Sequence, residues 1–166
     1  MELYNEQDVR FVLTRYSSMV YRLAYARTGN TSDAEDICQE VFLTMAQKSP
    51  AFKTEDERKA WLIRLTINRA NSLWRTAWKR KVSLGVEIVL PYEKSSDDNM
   101  VADALGKLST HDRTLIHLHY FEGFRLEEIA HIVKRPPETI LTQICRARKR
   151  LKKILEKEQL DNETIY

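Results

Sequence analysis

LEEIAHIVKRPPETILTQICRARKRL, residues 126–151, is the stretch on which the fold turns. Leu126, Ile129, Ala130 and Val133 recur at helical spacing, a turn containing Pro136 and Pro137 follows, and Ile140, Ile144, Ala147 and Leu151 repeat the spacing. The pattern predicts two helices that close on one apolar seam. Pro137 suits the first turn of the second helix, where its missing amide hydrogen is not needed, and Glu138 favours that helix's positive end. From Lys134 to Lys153 there are eight basic residues and one acid, so the outer face is cationic. A helix-turn-helix needs this combination, with one helix bracing the other in the major groove while Arg and Lys hold phosphates. Taken alone, the stretch fits an ordinary basic helical hairpin equally well.

Upstream of it, Ala104, Leu105 and Leu108 predict a short helix from about Met100. Ser109 and Asp112 have capping spacing for a second helix that carries Leu115, Ile116, Leu118, His119 and Phe121. Glu122 and Gly123 end it, and Phe124 is expected against the first helix of the motif. His119 reads as a core or interface residue rather than a ligand. The expectation is a four-helix domain over residues 100–156, followed by a polar tail, 157–166, that frays. Residues 82–99 break the helical pattern with Gly85, Pro91, Ser95 and Ser96 and are acidic at Glu87, Glu93, Asp97 and Asp98. They read as a flexible linker between two small helical domains.

The first domain, residues 1–81, reads as three helices. Val9, Val12, Leu13, Tyr16, Val20, Leu23 and Ala24 give the inward stripe of one from about Glu6 to Arg27, which Gly29 and Asn30 end. Ser32 and Glu35 have capping-box spacing for a second helix from about Asp33 to Gln47, with Ala34, Ile37, Val41 and Met45 inward. Its other face shows Asp33, Glu35, Asp36 and Glu40. That face is either a solvated helix start or a docking surface for a basic partner. Phe42, off the inward stripe, is expected to be exposed and favours docking. After a loop with Pro50 and Phe52, Thr54 and Glu57 start a third helix that runs to about Trp78. Between Arg58 and Lys81 there are eight basic residues and no acid, mixed with Trp61, Trp74 and Trp78. Cations beside flat rings grip a nucleic-acid backbone and stack on unpaired bases, each stack worth roughly 1–3 kcal/mol. Trp61, Leu62 and Leu65 are expected to close the core.

Composition supports an all-α chain: 166 residues contain only four Gly and four Pro, and the net charge is +3. That charge is too modest to indicate nucleic acid; its distribution carries the argument. Cys38 and Cys145 both fall in helical apolar patterns and are expected to be buried thiols. The four histidines, at 111, 117, 119 and 131, form no metal-binding spacing with them. No metal and no cofactor is expected. Neither a secretory leader nor a bilayer-spanning run is recognisable, so the expected location is cytoplasmic, without membrane insertion.

DAEDICQEVFL at 33–43, WLIRLTINRANSLWR at 61–75, and YFEGFRLEEIAHIV with RARKRL between 120 and 151 together resemble the bacterial RNA polymerase sigma factors of the extracytoplasmic-function class. The resemblance covers nearly the whole chain. It implies that the second helix docks on the clamp of the polymerase beta-prime subunit through Asp33, Asp36, Gln39, Glu40 and Phe42. It also implies that the loop at 49–56 and the helix after it capture a flipped base of the minus-ten element and hold the melted single strand, through Phe52, Lys53, Arg64, Asn68, Asn71, Trp74, Arg75 and Lys79. The last domain would sit on the beta flap and read the duplex minus-thirty-five element through Arg135, Glu138, Thr139, Thr142, Gln143, Arg146, Arg148 and Lys149. An anti-sigma partner is implied as well. A sigma factor is not an enzyme, because the polymerase supplies the metal and the nucleotidyl transfer. The chain departs from the family pattern at Ser72, Lys134, Glu138, Leu141 and Gln143. Two alternatives remain at this point. A DNA-binding regulator independent of polymerase would leave the acidic face idle, and a sigma-derived sequestering module would bind polymerase without opening promoters.

Overall fold

The computed structural model describes residues 5–48, 50–84 and 100–164, with the backbone alone for 77–84. All the regular structure among them is helical, in two separately packed units. The first unit holds α1 (Glu6–Thr28), α2 (Thr31–Lys48) and α3 (Glu55–Leu84). Its core is Val12, Tyr16, Met19, Val20, Leu23 and Ala24 of α1, Ala34, Ile37, Val41 and Met45 of α2, and Leu62, Ile63 and Ala70 of α3. The α1 stripe is shifted from expectation. Met19 is buried and Leu13 exposed, because the packed face is set by both partner helices and not by apolarity alone. Trp61 and Leu65 are only half-buried, and Ile63 with the Thr66 side chain closes the core in their place. The Thr66 hydroxyl satisfies itself by donating to Leu62 O at 2.7 Å.

Helix ends differ in instructive ways. Gly29 ends α1 at φ +70°, its N–H donating to Tyr25 O at 2.7 Å. The cap of α2 is Asn30 and not Ser32: Asn30 Oδ1 accepts from the Asp33 N–H at 2.7 Å and Asn30 Nδ2 donates to the Asp33 carboxylate at 2.5 Å. One Asn thereby closes both halves of a reciprocal cap, worth about 1 kcal/mol, and the helix begins two residues early. Helix α3 continues past Trp78 to Leu84, so the first three residues expected in the linker are helical; residues 85–99 lie outside the described ones.

The second unit holds α4 (Met100–Gly106), α5 (Thr110–Ile116) continued by a π-helical turn (His117–Phe121), α6 (Leu126–Val133) and α7 (Pro137–Thr164). Ser109 caps α5 through the Asp112 N–H at 3.2 Å. The turn's wider winding places Leu118 in the core and leaves Phe121 exposed. Ile129, Ala130 and Ile132 of α6 meet Ile140, Ile144 and Ala147 of α7, whereas Leu126 and Val133 are half-buried. Pro137 opens α7 as its chemistry predicts. The expected fraying after Glu156 does not occur. Helix α7 runs to Thr164, with Leu151 and Ile154 packed against Leu108, Ile116 and Ala147, and Glu158 paired with Lys107 of α4. No helix among the described residues is long and apolar enough to cross a membrane, and no group of metal-ligating side chains converges there.

Candidate interaction surfaces

Helix α2 presents Asp36, Gln39 and Glu40 outward, as their spacing predicts. Phe42 is a correction: it is 8% exposed and packs in the core, while the next residue, Leu43, is 58% exposed. A step of one residue turns the helix by about 100°, enough to exchange an inward aromatic for an outward aliphatic. Leu43 follows Asp36 by seven and Gln39 by four residues, so it is the exposed apolar residue on this acidic face. Asp33 is half-buried and engaged in the Asn30 cap. Glu40 lies 3.8 Å from Arg69, which also donates to Thr44 Oγ1 at 3.1 Å. Cys38 is half-buried, its S–H directed at Ser17 O at 3.8 Å, and burial pushes its thiol pKa up.

On α3, Trp61, Arg64, Asn68, Asn71 and Arg75 follow one another at intervals of three, four, three and four residues and form one outward strip. Asn71 accepts from Arg27 at 2.5 Å, and Arg75 donates to the hydroxyl of Ser72 at 3.3 Å. Trp74 is exposed but stands about 100° of helix rotation from Arg75, at the strip's edge. Phe52 and Lys53 lie in the loop before α3. The Phe52 ring is half-buried, edge-on to Trp61 with centroids 5.7 Å apart, and Lys53 is exposed. The side chain of Lys79 lies outside the described residues.

On α7, Glu138, Thr142, Arg146 and Lys149 are exposed opposite the buried seam. Cys145 joins them and is exposed, contrary to the expectation of a buried thiol. Its place was legible, three residues from Thr142 and seven from Glu138; its apolar character obscured it. Thr139 and Gln143 are half-buried on the flanks, and Arg135 is exposed in the turn. Gln143 Oε1 lies 3.1 Å from His111 Nε2, and Arg150 donates to the buried Asp112 at 2.5 Å. Consecutive residues of α5 thus hold two α7 side chains seven apart. On the other flank, Arg148 donates to the Tyr120 hydroxyl at 3.3 Å. Arg146 and Lys149 have no hydrogen-bond or ion-pair partner among the described residues.

Comparisons with known proteins agree with this two-part layout. Residues 12–80 match the family model for sigma-70 region 2, and residues 98–151 match that for sigma-70 region 4. The ECF RNA polymerase sigma factor SigW of Bacillus subtilis strain 168 is 31% identical over 161 residues, covering 84% of each chain. RNA polymerase sigma factor SigV of the same organism is 29% identical over 152 residues, covering 89% of this chain and 91% of its own. Among solved structures, the sigma factor RpoE in complex with the anti-sigma factor NepR, from Bartonella quintana, matches with a TM-score of 0.74 at 27% identity over 90% of this chain and 98% of that one. CnrH in complex with the cytosolic domain of CnrY shares the fold, with a TM-score of 0.69 at 22% identity over 92% of this chain and 90% of that one.

Proposed function

The chain belongs to the extracytoplasmic-function class of bacterial RNA polymerase sigma factors, and from that premise we propose how its surfaces divide the work of initiation. It binds core RNA polymerase in the cytoplasm, directs it to promoters, and does no bond-making chemistry itself. It works under the control of an anti-sigma partner, as its likeness to the sigma factor bound by NepR supports.

In our reading the outer face of α2 docks on the beta-prime clamp. Asp36, Gln39 and Glu40 supply polar contacts to a basic helix, and Leu43, rather than Phe42, supplies the apolar anchor. Asp33 contributes field more than contact, since its carboxylate already serves the α2 cap. The loop at 50–54 receives a flipped minus-ten base, and the strip Arg64, Asn68, Asn71 and Arg75 holds the melted strand, with Trp74 and Lys79 at its far end. Unpaired bases have lost their stacking, and a surface that mixes rings and cations compensates for it. The second unit sits on the beta flap. The outward face of α7, with Glu138, Thr142, Cys145, Arg146 and Lys149, enters the major groove of the minus-thirty-five element, while Arg135, Thr139, Gln143 and Arg148 line its margins. The Gln143 amide is shared with His111. It therefore has less freedom to pair bidentately with adenine.

The observation that carries this division is the presence, on separate helices, of an acid-and-leucine face, a cation-and-ring strip and a groove-ready basic face. Run-off transcription with core polymerase on a promoter library tests it. Specific new starts that depend on this chain, sharing two spaced elements, are expected. Polymerase binding without starts would leave a sequestering role, which the internal commitment of Arg148 and Arg150 would then explain.

A further inference from the structure

The loop ahead of α3 is tied down by an unusually continuous set of contacts that begins in the core. Tyr16, 4% exposed on α1, donates its hydroxyl to Glu55 Oε2 at 2.5 Å. The other oxygen of the same carboxylate accepts from Arg58 at 2.7 Å. The Arg58 guanidinium lies over the Phe52 ring, 5.6 Å from its centroid, and Phe52 in turn meets Trp61 edge-on. The backbone is held separately. Glu57 accepts from the Lys53 N–H at 2.9 Å, Thr54 Oγ1 accepts from the Glu57 N–H at 3.2 Å, and Thr54 O accepts from the Arg58 N–H at 3.3 Å. Burial and the neighbouring Glu55 push the Tyr16 hydroxyl up to about 12, so it remains a donor throughout the physiological range. Arg58 Nε is buried with no acceptor among the described residues, a cost that this ring contact and ion pair offset.

These contacts are more than a helix cap requires. Thr54 and Glu57 alone cap α3, and Phe52 with Trp61 alone covers the core edge. The carboxylate of Glu55 adds a bridge from a buried residue of α1 to a ring in the loop. We propose that Tyr16, Glu55 and Arg58 are positioning residues for base capture, holding residues 50–54 in their receiving shape before DNA arrives. The inference rests on the reading of this loop given above and deepens it. With Phe52 held inward, Lys53 is the loop's outward cation. The ordering of the loop is then accomplished during folding and not during promoter melting, which is how a preset site gains affinity without added contacts.

Tyr16→Phe removes only the hydroxyl and leaves the core packing intact. The probe is a fluorescein-labelled single-stranded oligonucleotide carrying the minus-ten element found by run-off mapping, bound to the complex of this chain with core polymerase. We expect binding to weaken by about 3- to 10-fold, the scale of one lost ordering restraint. Affinity for core polymerase stays unchanged, the melting temperature of the free protein falls by no more than a few degrees, the cost of about one hydrogen bond, and hydrogen exchange at the Lys53 amide accelerates. Arg58→Lys, which keeps the charge and loses the planar contact with Phe52, shows the same loss. Unchanged oligonucleotide affinity in Tyr16→Phe overturns the relay. So does a loss that comes together with a larger fall in melting temperature and weaker polymerase binding, which marks a merely structural role. If Lys53→Ala weakens the oligonucleotide while Tyr16→Phe does not, base capture stands and the relay falls. If the unmodified complex ignores the oligonucleotide, base capture itself falls and takes the relay with it.

Discussion

The outer face of α2 and the outer face of α7 are both charged helical surfaces, yet they are committed very differently inside the chain. On α2, Asp36, Gln39 and Leu43 are exposed, and only Glu40 approaches an internal cation, Arg69, at 3.8 Å. On α7, Arg148 is bonded to Tyr120, Arg150 to Asp112 and Gln143 to His111, which leaves Arg146 and Lys149 as the outward cations of the recognition face. On the proposed reading, the first surface faces a partner. The second spends two of its four cations between Arg146 and Arg150 on bracing its own domain. Each phosphate contact contributes through counterion release, so a face with two outward cations binds duplex weakly by itself. A helix of this kind works when another contact holds it near DNA, because tethering replaces intrinsic affinity with effective concentration. The difference implies an order of events in which polymerase binding comes first and carries promoter reading with it.

The largest expected effect tests the α2 side of that contrast. Leu43→Glu places a charge at the apolar centre of the proposed docking face without touching the core, since the side chain is already exposed. Affinity for core polymerase should fall by about 30-fold or more, corresponding to about 2 kcal/mol for an anchor residue. The melting temperature should stay within a degree of the parent, and duplex binding by the free protein should not move. Fluorescence titration against core polymerase reads the first quantity. An unchanged affinity would remove Leu43 from the interface and with it the assignment of this face to docking.

A smaller effect separates the committed from the uncommitted cations of α7. Arg146→Ala should lower affinity for a minus-thirty-five duplex by about 5- to 10-fold and reduce the slope of log affinity against log salt by about 1. Arg148→Ala should change that slope less, because its guanidinium is already shared with Tyr120. Equal slopes for the two variants would break the distinction between bracing and reading residues on this helix.

Helix identity and most of the core were legible from periodicity alone: Ile37, Val41 and Met45 on α2, and Ile140, Ile144 and Ala147 on α7, lie where their spacing requires. What the pattern did not carry was competition between neighbours. Phe42 and Leu43 are both apolar and adjacent, and a single-residue rotation decided by packing against α1 and α3 selects the inward one. Asn30 outbid Ser32 for the α2 cap because its amide satisfies donor and acceptor at once. The polar composition after Glu156 suggested fraying, yet a single long-range pair, Lys107 with Glu158, and the apolar Ile154 extend the helix beyond it. In the same way, charge counts located the basic face but not the pairings of Arg148 with Tyr120 or Gln143 with His111. Those depend on residues about thirty positions away, where no local pattern reaches.

The turn between α6 and α7 carries the smallest expected effect and refines the contrast further. Lys134 sits at φ +56° and ψ +50°, a left-handed conformation that crowds its Cβ, and its N–H and that of Arg135 both reach Ala130 O. A glycine is free of that crowding. Lys134→Gly should stabilise the protein by about 0.5–1 kcal/mol, the relief of one left-handed residue less the added freedom of the unfolded chain. Thermal denaturation should register a rise of a few degrees. The decisive companion measurement is the duplex salt slope. If it is unchanged, the strain at Lys134 is unrelated to DNA and the outward cations of α7 stand alone on the recognition face. If the slope falls by about 1, the Lys134 ammonium is itself a phosphate contact. The chain would then accept a strained turn in order to add a cation beside a helix two of whose three arginines, Arg148 and Arg150, are occupied in holding the domain together.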